Sequence, residues 1–171
     1  MKETRFYIGY KIWKPMYKML ILFGFSASLI LFALIFGLIN STPFEVISGL
    51  YAIIVHPDVL ITDYIRIGGL SAAFLNSGIL TATFTYMLWK NNDSFNGATF
   101  ASILIVTGFS FLGKNLVNVW PILIGVAIYA KFHQEPFGRY VYTALFGTAM
   151  APIVTEVIFH FDLILPLRVI A

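Results

Sequence analysis

The stretch Phe109-Ser-Phe-Leu-Gly-Lys-Asn-Leu-Val-Asn-Val-Trp-Pro121 separates two apolar runs, residues 98–110 and 119–132. Each run is about 14 residues long, or roughly 21 Å as an α-helix, whereas a bilayer core of roughly 30 Å takes about 20 residues to cross. The interruption carries Gly113, Lys114, Asn115 and Asn118. Broken helices with polar residues at membrane depth persist only where protein or a water-filled cavity surrounds the freed backbone, and such breaks often mark transporter binding sites. The stretch therefore predicts a pair of half-helices with a candidate site at the break.

Composition places the whole chain in the membrane class. Of the 171 residues, 59% are hydrophobic and 11% are charged, against about 25% charged in soluble domains, and the mean hydropathy is +0.86. The net charge of +3 does not indicate nucleic-acid binding, because the basic residues collect at one end. We predict an all-α integral membrane protein with about three full spans and additional short broken or re-entrant helices.

Residues 1–18 mix cations with aromatic rings and suit the headgroup layer as an interfacial helix that ends at Pro15, with a disordered basic tail as the alternative. Five of these residues are Lys or Arg, against the single acid Glu3. This positive flank predicts a cytoplasmic N-terminus in the inner membrane. Met19–Ile39 follows as the first span; a signal peptide is the alternative, but no small-residue cleavage site follows the run.

Thr42, Pro43 and Glu45 resemble a capping box that opens a short helix at 43–55. Residues 68–89 form a second span, with small residues that favour close helix contact in its first half. Just before it, Asp63 and Arg66 are three apart and are interpreted as an interfacial ion pair rather than a binding site.

Two basic loops, residues 90–97 and 131–139, enclose the broken pair. If both loops are cytoplasmic, the pair enters and leaves on one side as a re-entrant hairpin. Tyr140–Phe159 is the third predicted span, and Asp162–Pro166 then begins a further segment. We treat residues 19–171 as one polytopic domain, expected to be incomplete at its C-terminus.

At the hairpin tip, Asn118 is expected to cap the second half-helix and Pro121 to lie in its first turn. Gly113 allows the turn, while Lys114 and the helix dipole favour an anionic or carbonyl-bearing ligand. The alternative is an ordinary short hairpin whose Lys114 side chain reaches a nearby interface.

Glu156 is the second candidate, because an ionisable residue inside a span is a functional hypothesis by default. Pro152 cannot donate to the carbonyl of Thr148, so this carbonyl, Thr148, Thr155 and Glu156 could form a cation or proton site. Glu156 could equally lie at the outer interface. Asn76, in the middle of the second span, could bind a ligand or hydrogen-bond between helices.

Motifs for enzymes and metals are missing from the sequence. It contains no HExxH, GxSxG, P-loop or GxGxxG pattern. The chain has no cysteine, and its three histidines, at 56, 133 and 160, have no metal-ligand spacing. We therefore predict no metal and no cofactor, and a membrane-embedded enzyme is the least favoured function.

Three stretches resemble a bacterial multi-pass membrane family catalogued as a domain of unknown function. They are residues 60–78 (LITDYIRIGGLSAAFLNSG), 108–125 (GFSFLGKNLVNVWPILIG) and 144–156 (ALFGTAMAPIVTE). The resemblance covers roughly residues 45–160. Family members are longer and carry a later Gly- and Asn-rich segment, so the chain looks like the N-terminal part of such a protein. The family has no assigned activity, and the resemblance implies architecture only.

The favoured function is a channel or secondary transporter for a small polar or anionic solute. A non-transporting scaffold, or a subunit of a larger membrane complex, is the alternative. The expected partners are the lipid bilayer and an unidentified small solute, with no nucleic acid and a possible homo-oligomer.

Overall fold

The computed structural model describes residues 2–57, 61–91 and 95–160, with side chains for residues 17, 19–57, 61–91 and 95–157. Over these residues it is all-helical. The α-helices are α1 (Lys2–Asn40), α2 (Pro43–Val55), α3 (Tyr64–Asn91), α4 (Gly97–Phe109), α5 (Trp120–Phe132), α6 (Val141–Gly147) and α7 (Ala151–His160). Short 3-10 turns, Phe137–Tyr140 and Thr148–Met150, precede and follow α6. The side chains of the predicted interfacial segment before Tyr17, the middle of the loop at 90–97 and the segment Asp162–Pro166 lie outside this description.

Two helices are long and apolar enough to cross a membrane: the part of α1 from Met19 to Asn40, and α3. They pack against each other along much of their length. Where they cross, a Cβ on Gly78 would lie 2.6 Å from the Ile30 side chain. The predicted end of the first helix at Pro15 is wrong, because α1 continues through it from Lys2 to Asn40. A proline removes one backbone donor, and the helix tolerates that single loss.

Helix α2 has the predicted bounds and the predicted cap. The Thr42 hydroxyl accepts from the Glu45 N–H, and the Glu45 carboxylate accepts from the Thr42 N–H, so the capping box is confirmed. The helix lies against the start of α3, where Gly49 and Gly68 meet so closely that a Cβ on Gly49 would lie 2.1 Å from the Gly68 carbonyl oxygen. Small residues thus allow this contact, as the sequence indicated.

Helix α3 begins earlier than predicted because Asp63 caps it. The Asp63 carboxylate accepts from the N–H groups of Ile65 and Arg66, at 3.0 and 3.1 Å. The predicted Asp63–Arg66 ion pair is wrong, since these two described side chains form no salt bridge and Asp63 binds backbone instead. One turn later the helix bends at Gly69, whose φ of 82° is outside the helical region and is open to glycine.

The two half-helices α4 and α5 are each 13 residues long, and each predicted boundary is within one residue of the observed one. The start of α4 and the end of α5 lie at the same end of the bundle. This follows because Gly138, just after α5, approaches the carbonyl of Asn91, just before α4. Helix α6 packs against both. We call this end, which carries Lys90, Lys131 and Arg139, the basic end.

The predicted third span, Tyr140–Phe159, is not a continuous helix. It divides into α6 and α7 at the 3-10 turn Thr148–Met150. The missing donor of Pro152 weakens α-helical bonding at this point. The carbonyl of Thr148 is not left free, because the Ala151 N–H donates to it in the tighter 3-10 pattern.

Candidate functional site

The segment between α4 and α5, which we call the tip (residues 110–119), is a compact turn. Gly113 has a φ of 111°, a conformation that favours glycine, so the predicted need for glycine here is confirmed. The Lys114 N–H donates to the Phe109 carbonyl at 3.0 Å and closes the end of α4. Gly113, Lys114, Asn115 and Asn118 are all buried, and the turn therefore faces protein.

Asn115 and Asn118 hold the tip together by bonding to each other's backbone. The Asn118 side-chain oxygen accepts from the Asn115 N–H at 2.9 Å. The Asn115 side-chain oxygen accepts from the N–H groups of Val117 and Asn118, at 2.8 and 2.9 Å. Such bonds from an asparagine to its own following backbone stabilise turns.

The prediction that Asn118 caps α5 is wrong. The N-cap is Val119, which makes no side-chain capping bond, although Pro121 lies in the first turn as predicted. The Asn118 oxygen is engaged by Asn115, and its amide donates to the Gly113 carbonyl at 2.8 Å and to the Thr155 hydroxyl at 3.3 Å. Asn118 is therefore a link between the tip and α7.

Other buried side chains fix the tip to α3. The Asn76 amide donates to the carbonyls of Ser110 and Lys114, at 2.8 and 3.0 Å. The Asn115 amide donates to the Tyr64 hydroxyl at 3.1 Å. Backbone bonds add to these, from the N–H of Thr62 to the Leu112 carbonyl and from the N–H of Tyr64 to the Phe111 carbonyl. The tip is thus held at both the start and the middle of α3.

Lys114 occupies the centre of this arrangement and is fully buried. Its ammonium donates to the Thr148 hydroxyl at 3.0 Å and lies 5.8 Å from the centre of the Phe109 ring. The Thr148 hydroxyl in turn donates to the Leu145 carbonyl at 2.6 Å. No carboxylate among the described residues is within salt-bridge distance of Lys114. A lysine ammonium has three donors, so this charge has fewer partners than it can use.

Asn76 provides an acceptor in the same region. Its side-chain oxygen is buried without a hydrogen-bond partner among the described residues, while its amide nitrogen is fully engaged by the tip. Buried polar atoms in native proteins normally have partners. A small molecule that accepts from Lys114 and donates to Asn76 would complement both groups.

The structure merges most of the two predicted sites into one. Thr148 contacts Lys114 and Thr155 contacts Asn118, so both threonines adjoin the tip. Glu156, adjacent to Thr155, is exposed and makes no hydrogen bond or ion pair with any described residue. The predicted grouping of Glu156 with these threonines is therefore not observed.

Sequence reasoning missed Tyr64 and a run of hydroxyls between α3 and α4. Thr81 and Thr107 are 2.8 Å apart, and Ser77 donates to the Thr107 carbonyl at 3.2 Å. The spacing of Ser77 and Thr81, four apart on the helix that carries Asn76, places them one turn apart on one face and could have indicated this polar seam. The described residues contain no group of His, Asp or Glu that could hold a metal ion.

Comparison with known families adds one match. The family described as "Protein of unknown function (DUF1576)" matches residues 42–171. The matched region includes α2 to α7 and every residue of the tip. No curated protein and no solved structure matches the chain.

Proposed function

We propose, for a chain that belongs to this family of unknown function, a role as a multi-pass inner-membrane channel or secondary transporter. The solute is small and polar or anionic, and it binds at the tip between Lys114, Asn76 and Thr148. The protein has no enzymatic role in this proposal.

The observation that carries the proposal is the environment of Lys114. A buried lysine that carries its charge is normally paired. Among the described residues, however, the Lys114 ammonium has one side-chain hydrogen bond, to the Thr148 hydroxyl, and no carboxylate accompanies it. An anionic solute would supply the missing charge. The side-chain oxygen of Asn76 would select solutes that also carry a donor.

The surface of the helices supports a membrane location. Large apolar side chains are exposed on α1 and α5, including Leu31, Ile35, Leu38, Ile124 and Ile128. Exposed apolar surface of this extent suits contact with lipid. In the proposed topology, the N-terminus and the basic end face the cytoplasm, and α4 and α5 form a re-entrant hairpin.

Transport requires the tip to open, because Lys114 is enclosed. The contacts between Lys114 and Thr148 and between Asn118 and Thr155 join the hairpin to the α6–α7 junction. Since α6 and α7 are short and separated by a 3-10 turn, we propose that movement at this junction exposes the site.

The direct test is solute flux in proteoliposomes that contain the full-length protein. A panel of chloride, nitrate, phosphate, acetate and lactate is used for wild type, Lys114→Met and the control Lys131→Met, which alters an exposed lysine at the end of α5. We expect wild type and Lys131→Met to transport one or more of these anions at the same rate, and Lys114→Met to lose at least tenfold in flux. Flux that is unchanged in Lys114→Met would remove Lys114 from the site.

A scaffold function is the second candidate, and one observation favours it. The side chains of Asn115 and Asn118 bind mainly the protein's own backbone and neighbouring hydroxyls, as a purely structural turn would. Absence of flux for every solute in the panel, together with co-purification of a stable membrane complex, would favour this function.

A further inference from the structure

An open groove runs between α3 and α5 on the outside of the bundle. Its volume is about 510 Å³, within the range of roughly 300–1,000 Å³ found for ligand sites. Trp120 and Thr83 line the end near the tip, Leu123 and Met87 line the middle, and Lys90 lines the basic end. Both helices run toward the basic end, so the lining residues follow the two helices from the tip to Lys90.

The body of the groove and its basic end differ in chemistry. The body is apolar, with half-exposed Trp120 and Ile124 on its rim and buried Leu123 in its floor. Lys90 is exposed and makes no hydrogen bond or ion pair with any described residue. The Lys90 ammonium therefore lies at the basic end of an otherwise apolar groove.

Among the described residues at this end, the other charges are also mainly positive. Lys131 is exposed in the last turn of α5. Arg139 is paired with Glu135, which also accepts from the Tyr140 hydroxyl. Among the described residues of the loop after α5, Glu135 is the only acid, and Arg139 and Tyr140 already engage it. Lys90 thus remains available to an outside anion.

We propose that this groove binds an anionic phospholipid, with one acyl chain along Leu123 and Met87 and the phosphate at Lys90. Acyl chains match an open apolar strip that faces the bilayer, and basic pockets between helices at the cytoplasmic side are known to bind anionic headgroups. Charge complementarity at Lys90 favours an anionic lipid over a zwitterionic one. The inference rests on the membrane topology proposed above but not on the transport function, because the groove and the tip share no residue.

The test is thermal unfolding of the delipidated full-length protein in detergent, with phosphatidylglycerol or phosphatidylcholine added at equal mole fraction. Ligand that binds only the folded state raises Tm, and we expect phosphatidylglycerol to raise it by about 3–6 °C and phosphatidylcholine by less than half as much. Lys90→Gln should lose the difference between the lipids, while Lys131→Gln should keep it. Ala127→Trp, which fills the groove, should lose the response to phosphatidylglycerol.

Native mass spectrometry supplies a second measurement. One phosphatidylglycerol retained per wild-type chain, and none on Lys90→Gln, is the expected result. Equal shifts with both lipids, or an unchanged preference in Lys90→Gln, would overturn the proposal. An equal shift with inorganic phosphate alone would also overturn it, as would a lipid-independent dimer that buries the groove. Because flux at the tip is measured separately, failure here leaves the transport proposal standing.

Discussion

The Lys114 ammonium and the Thr148 hydroxyl, 3.0 Å apart, join the turn between two half-helices to the 3-10 turn between two others. Each turn arises from its own local chemistry. Gly113 allows the first through its positive φ, and Pro152 weakens α-helical bonding at the second. Because two helix breaks meet at the buried Lys114 side chain, their irregular backbone is concentrated in one place. This is the arrangement that irregular backbone requires within a bilayer.

We predict that Thr148→Val destabilises the protein by about 1–3 kcal/mol, because it removes the one side-chain acceptor that the described residues offer to the buried Lys114 ammonium. Thr83→Val is the control, since the Thr83 hydroxyl bonds only within its own helix, to the Ile79 carbonyl. Its effect should stay near 0.5 kcal/mol. The measurement is the free energy of unfolding in detergent.

The double variant Lys114→Met/Thr148→Val should be more stable than the sum of the two single changes predicts. Replacing both partners by apolar groups leaves neither unsatisfied, and contacting residues typically couple by about 0.5–3 kcal/mol. Strict additivity in this cycle would show that the 3.0 Å contact contributes nothing.

The next prediction concerns Asn118, which does not cap a helix as the sequence suggested. Asn118→Ala should cost more than Asn96→Ala, which removes a true N-cap from α4 at about 0.5–2 kcal/mol. The loss at Asn118 leaves the Gly113 carbonyl and the Asn115 N–H buried without their bonds. Thermal unfolding of the two variants side by side shows which of them loses more stability. If Asn118→Ala loses no more than Asn96→Ala, the bonds of Asn118 contribute little to holding the tip.

Local chemistry explains which parts of the fold could be predicted from the sequence. Thr42 and Glu45 are three residues apart, so the cap of α2 depends on neighbours alone. The bounds of α4 and α5 follow apolar runs, and the conformation of Gly113 follows from its lack of a side chain. These features need no knowledge of the remaining chain.

Long-range partners explain the features that were missed. Asn118 binds Thr155, 37 residues away, and Asn115 binds Tyr64, 51 residues away. The Asn118 oxygen that could have capped α5 accepts instead from the Asn115 N–H inside the tip. The contacts with Tyr64 and Thr155 then fix this turn against α3 and α7. Pro152 correctly indicated a weak point, but the 3-10 bond from Ala151 that uses the Thr148 carbonyl depends on how the turn closes.

Another prediction tests the contact between α2 and α3. Gly49→Ala should destabilise the protein by about 1–3 kcal/mol, because its Cβ would lie 2.1 Å from the Gly68 carbonyl oxygen and the helices would have to separate. The matched control is Gly125→Ala in α5, where a Cβ meets nothing within 4 Å. That change should be neutral or stabilising by up to about 1 kcal/mol, since alanine favours helix. Equal Tm values for the two variants would mean that α2 does not pack closely on α3.

The last prediction concerns which side of the membrane the basic end faces. Lys90 and His133 are exposed on either side of the hairpin, and the approach of Gly138 to the Asn91 carbonyl places both at one end of the bundle. Since cytoplasmic segments carry an excess of Lys and Arg, we expect both positions to face the cytoplasm. The chain has no cysteine, so Lys90→Cys and His133→Cys each introduce a single reactive site. An impermeant maleimide should label both in inverted vesicles and neither in intact cells.

Labelling of one position from each side would show that α4 and α5 together cross the membrane, and the re-entrant hairpin would then be wrong. Labelling of both from outside would keep the hairpin and reverse the orientation of the whole protein.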